Sequence, residues 1–72
     1  MKSSYSEPTI LWRLRHADGR VAHAVIVPRW SDASAVWFID DKPEEARDFE
    51  DWESAVKWMD SVRVRLSGNG WR

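Results

Sequence analysis

The stretch Asp48–Leu66, DFEDWESAVKWMDSVRVRL, decides the fold, because it alone keeps a helical period over several turns. Trp52, Ala55, Val56, Met59, Val62 and Leu66 recur at steps that bring them onto one stripe of a 3.6-residue helix. Asp48 and Asp51 are both candidate N-caps, since a short carboxylate accepts from the free N–H groups of a first helical turn. Glu50, Asp51 and Glu53 near the start, with Arg63 and Arg65 near the end, suit the helix dipole. Ser67-Gly68 supplies the expected stop, with Gly68 taking the left-handed conformation. Trp58 falls on the flank of the stripe, where it either covers the rim of the core or anchors an interface.

Upstream, the period changes from helical to alternating. In Thr9–His16, TILWRLRH, one side of a strand carries Ile10, Trp12 and Leu14 and the other Leu11, Arg13 and Arg15. Asp18-Gly19 is a turn signal, and RVAHAVIVP over residues 20–28 is the return strand, stopped by Pro28. Two registers fit this hairpin. A two-residue Asp18-Gly19 turn pairs Trp12 with Val25. A three-residue turn with Gly19 as a bulge pairs Leu14 with Ala22, Trp12 with Ala24 and Ile10 with Ile26. The second is preferred, because Ala-Asp-Gly suits a type I turn followed by a left-handed glycine. It also sets small alanines beside Trp12, where a helix can approach. Leu11, Arg13, Arg15, Val21, His23, Val25 and Val27 then share the opposite face.

After a loop at Arg29-Trp30-Ser31-Asp32, Ala35–Ile39 reads as a third strand, apolar on both sides, with Asp40-Asp41-Lys42-Pro43 turning the chain. Glu44–Phe49 offers a short fourth edge strand, and Trp71 in the tail is placed to fold back on the core. Residues 1–8 read as a flexible N-terminal arm ahead of a single small α+β domain over residues 9–72. The expected fold is a three-stranded antiparallel meander packed on one C-terminal α-helix, β-β-β-α, with the edge strand as a possible fourth.

Composition narrows the classes of function. With 72 residues and no cysteine, the chain relies on no disulfide or thiolate metal site, and a reducing compartment suits it. The 6 tryptophans are read first as core material. Each can remove about 150–250 Å² from water, roughly 4–6 kcal/mol, which a chain this short needs against its conformational entropy. No apolar run is long enough for a membrane span and the start lacks an apolar signal region, so a cytoplasmic location is expected. The net charge of −1 hides a segregation: residues 31–60 hold ten acids and three bases, while the segments on either side are basic.

No glycine-rich phosphate loop is present, and the serines lie at no recognisable nucleophile turn. His16 and His23 point to opposite faces in the preferred register, so a shared metal is not expected. Asp40, Asp41, Glu44 and Glu45 cluster in a turn, where solvation is the ordinary role of carboxylates. No catalysis and no cofactor are therefore expected.

Binding is the remaining class. One helix covers one side of a sheet, yet branched or aromatic residues occupy both: Trp37 and Ile39 on one side, Val36 and Phe38 on the other. The second side has an apolar centre and a charged edge, the composition of a protein interface. Arg13, Arg15, His23, Val25, Trp30 and Phe38 are its candidate contact residues. Trp30 is either an anchor or a lid over one end of the core. The expected partner is another protein or a second copy of the chain, with no membrane involved. In size, acidity and lack of cysteine the chain looks like the accessory regulators and inhibitors of bacteria and their phages.

Double-stranded nucleic acid is the alternative partner. Three strands backed by one helix resemble, in element order, the plant AP2 domain and the N-terminal arm-binding domain of some phage integrases, which lay the sheet in the major groove. That resemblance implies phosphate contacts from Arg13, Arg15, Arg20, His23 and Arg29. The acidic block of residues 31–60 would have to face away.

Overall fold

Three alanines on neighbouring strands, Ala22, Ala24 and Ala35, are fully removed from solvent, and a helix lies across them. The computed structural model describes residues 8–28 and 32–72. Nearly all of the expected arm and the segment Arg29-Trp30-Ser31 lie outside the described residues. The elements run β1 (Thr9–Arg15), β2 (Val21–Pro28), β3 (Ala33–Ile39), β4 (Lys42–Phe49) and α1 (Trp52–Ser67). The strands form one antiparallel sheet in the order β1-β2-β3-β4. The architecture is thus β-β-β-β-α. The fourth strand is present, and at eight residues it is longer than the Glu44–Phe49 segment expected.

The β1–β2 hairpin adopts the three-residue turn. The His16 N–H donates to the Arg20 carbonyl at 2.9 Å and the Gly19 N–H to the His16 carbonyl at 2.9 Å. Gly19 has φ +97°, the left-handed region that makes glycine the fitting residue there. Leu14 pairs with Ala22 and Trp12 with Ala24, as the sequence led us to expect. Beyond Trp12 the expectation fails, because a bulge shifts the register and Ile10 pairs with Val25 instead of Ile26. Two faces are exchanged as a result. Leu11 packs against the core beneath the helix, whereas Ile10 stays 60% exposed on the far side. One extra residue reverses every side chain beyond it.

Asp40 and Asp41, both at positive φ (51° and 67°), make a two-residue turn between Ile39 and Lys42. This is the mirror-type turn whose twist matches that of the flanking strands. A second bulge, between Trp37 and Phe38, leaves Glu44 as the extra residue of β4. Pro43 is tolerated because β4 is an edge strand whose outer side needs no donor.

Asp51, not Asp48, caps α1: its carboxylate accepts from the Ser54 N–H at 2.8 Å, while Asp48 belongs to β4. Ala55, Met59, Val62 and Leu66 are buried on the sheet, and Trp52, at the very start of the helix, stays 41% exposed. The expected stop is also corrected. Gly68 is right-handed (φ −69°), and the left-handed residue is Gly70 at φ +94°. The Trp71 N–H reaches the Leu66 carbonyl at 3.1 Å and the Gly70 N–H the Ser67 carbonyl at 3.3 Å. This is the Schellman pattern, complete with its apolar contact, since Leu66 and Trp71 are both buried in the core. The tail then pairs with the end of β1 through two bonds between Arg15 and Arg72, at 2.7 and 2.8 Å.

Candidate functional site

The face of the sheet turned away from α1 is built row by row from the strand register. Arg13, His23, Phe38 and Pro43 form one row across all four strands. Ile10, Val25, Val36 and Ala46 form the next, and Val27, Ser34 and Asp48 the one beyond. At the opposite end Arg15 sits beside Val21, and Val21 beside Asp40, whose N–H donates to the Val21 carbonyl at 2.8 Å and whose carboxylate accepts from the Val21 N–H at 3.1 Å. The valines and Phe38 are half-buried, and the arginines are exposed. The His23 and Phe38 rings stack at 4.7 Å with 11° between their planes.

Five of the six expected contact residues therefore share this open face: Arg13, Arg15, His23, Val25 and Phe38. Trp30 lies outside the described residues. The sequence reading placed Val36 on this side without naming it as a contact residue, and missed Ile10, Ala46, Pro43 and Arg72. The bulge at Leu11 hid Ile10, and the pairing that sets Arg72 opposite Arg15 depends on the helix end. Ala46 was open to discovery, since it pairs with Val36 and alternates with Glu45.

Charge divides the face. Arg13, Arg15 and Arg72 lie along the β1 edge, and among the described residues no ion pair holds any of them. Asp40, Asp41 and Glu44 lie at the same end of the sheet but on the β3–β4 side. Glu45, next to Glu44, turns to the helix side. The Trp37 indole donates to it at 3.0 Å and the Arg65 guanidinium at 3.1 Å, which together hold its carboxyl below the usual carboxylate range. The indole is the larger cause.

The imidazoles are separated by the thickness of the sheet. His16 lies on the helix side against Trp71, ring centroids 5.2 Å apart, and His23 lies on the open face. The Ser34 hydroxyl donates to Asp48 at 2.7 Å and the Ser61 hydroxyl to the Trp58 carbonyl at 2.7 Å. Among the described residues, no three histidine or carboxylate side chains stand close enough to hold a metal ion. No helix among them is long and apolar enough to cross a membrane.

Trp58 takes the rim position: half-buried against the core, with Phe49 at 5.6 Å and the Arg47 guanidinium over its ring at 5.7 Å. Comparison with protein-family models, curated proteins and solved structures finds no match to this chain.

Proposed function

We propose that the chain is a non-enzymatic binding module that associates with a polypeptide through the open face of its sheet. One observation carries this reading: Ile10, Val25, Val36, Val27 and Phe38 form a continuous apolar centre on the face turned away from α1. A soluble domain that keeps such a centre, edged by arginine, has the anatomy of an interface.

Substitution on each side of the sheet tests it. Val25→Asp puts a carboxylate in the middle of the open face, and Trp52→Ser changes an exposed tryptophan on the helix. Bound polypeptides, isolated from cells that express the tagged chain and including further copies of it, should be lost with Val25→Asp and kept with Trp52→Ser. Retention of the same set by Val25→Asp overturns the reading.

The nucleic-acid reading gains Arg72 as a third cation on the β1 edge but is disfavoured by placement. Asp40, Asp41 and Glu44 stand at the same end of the same sheet, where a duplex laid across the strands would meet them. The fourth strand also departs from the three-stranded layout of the DNA-binding domains named above. Phosphate binding would weaken steeply with salt, and Arg13→Glu with Arg15→Glu would abolish it.

A further inference from the structure

We infer that Arg15 and Arg72, with Arg13 beside them, form a binding site for a phosphate dianion, free or esterified, at the β1 edge. The site lies beside the apolar centre and does not depend on the reading above. Its geometry follows from the backbone. Arg15 and Arg72 exchange both of their main-chain bonds, at 2.7 and 2.8 Å, so they stand directly opposite one another on antiparallel segments. Residues so placed send their side chains to the same side of the sheet. The adjoining pair fixes which side. His16 and Trp71 are bridged, and their rings meet on the helix side, with Trp71 buried in the core. Alternation then turns both guanidinium groups to the open side, where Arg13 joins them two residues back along β1. The opposed Cα atoms are about 5.5 Å apart, and Arg13 is about 7 Å from Arg15.

Like charges directly opposite in a sheet repel, and that cost persists unless something neutralises them. Every other described arginine has its charge met by a carboxylate or an aromatic ring. Arg20 pairs with Asp18 at 2.8 Å, Arg63 with Asp60 at 3.2 Å and Arg65 with Glu45 at 3.1 Å. Arg47 lies over the rings of Phe49 and Trp58. Among the described residues no carboxylate side chain serves Arg13, Arg15 or Arg72, although acids outnumber lysines and arginines in the chain. Asp40, on the far side of Val21 from Arg15, accepts from the Val21 N–H at 3.1 Å. Arg15 and Arg72 also line a hollow of about 560 Å³ with His16, Ala17 and Gly70, which gives a ligand room beside them.

The number of contacts selects the ligand. A carboxylate presents two oxygens, which a single guanidinium fork satisfies. A phosphate dianion presents at least three and carries close to two charges, enough to bridge two opposed forks and reach a third.

The test follows the guanidinium resonances of the isotopically labelled chain as inorganic phosphate is added at neutral pH and fixed ionic strength, with chloride as the balancing salt. Exposure of the site limits affinity to the millimolar range, so a titration to about 50 mM covers it. Phosphate should shift Arg15 and Arg72 along saturating curves and Arg13 by less, while Arg63 and Arg65, held by carboxylates, stay in place. The same pattern with N-acetyl-O-phosphoserine amide supports the esterified ligand, and a response to inorganic phosphate alone supports the free ion. Arg15→Gln should weaken the Arg72 response by about tenfold, and Arg63→Gln should leave it unchanged. An unaltered amide spectrum from β2 to α1 confirms that each variant folds.

Shifts that rise linearly and equally at all exposed arginines reflect the ionic atmosphere and overturn the site. An equal saturating response to acetate overturns the choice of phosphate. An Arg72 response undiminished by Arg15→Gln overturns the pairing of the two arginines on one ligand.

Discussion

At the residue scale, Gly70 and Gly68 make opposite demands. Gly70 is left-handed, and a Cβ there would also meet His16 Nε2 at 3.2 Å, whereas Gly68 is right-handed with ordinary contacts around it. Gly70→Ala should therefore cost about 1–2 kcal/mol, and Gly68→Ala should be neutral or stabilise by up to about 1 kcal/mol. Urea unfolding of the two variants checks this, and equal effects would refute it. Asp41 offers a gain of the same origin. It holds the second central position of the β3–β4 turn at φ +67°, where glycine is favoured. Asp41→Gly should raise stability by about 0.5–1 kcal/mol, read as a higher urea midpoint with an unchanged slope.

At the element scale, three carboxylates respond to hydrogen bonds present only in the fold. Asp51 caps α1 through the Ser54 N–H, Asp18 accepts from the Arg20 N–H and guanidinium, and Glu45 accepts from Trp37 and Arg65. All three are held below the usual carboxylate range. A group whose pKa is depressed by folding stabilises the native state above its unfolded value, and that contribution fades as pH falls through the folded one. Stability should thus be level near neutrality and decline below about pH 4. Asp51→Asn keeps an acceptor at the cap but removes its titration. The urea midpoint of this variant should fall less steeply with acid than that of wild type. Parallel curves would show that the cap carries none of the pH dependence. Strand boundaries at this scale followed from turn chemistry, and Asp18-Gly19 was legible as such. The bulge at Leu11 was not, because Leu11 and Ile10 are both apolar and alternation reads equally well through either.

At the scale of the whole molecule, stability rests on one contact, α1 against four strands. Met59 sits at its centre, fully buried, and its carbonyl accepts from the Trp12 indole at 3.2 Å. Met59→Ala should cost about 2–5 kcal/mol, against a total of about 4–11 kcal/mol expected for a domain of this length. Urea unfolding followed by tryptophan fluorescence measures it. A loss under about 1 kcal/mol would mean that the helix and sheet close over the gap. Val25→Asp should cost about 1 kcal/mol of stability, because aspartate is disfavoured in an interior strand and Val25 is half-buried.

The sequence by itself determined the helix, the turn signal of the first hairpin, and the presence of a second apolar sheet face. Each is a local periodicity or a local backbone preference, which neighbouring residues are enough to specify. Only the tertiary structure decided that Ile10 and Leu11 exchange faces, that Gly70 ends the helix through Trp71, and that Arg72 joins Arg13 and Arg15 on one edge. It also set the acids of the β3–β4 turn level with those arginines across the sheet. These depend on register, and register is fixed by bulges and by packing between segments far apart in the chain, which no single stretch of sequence contains.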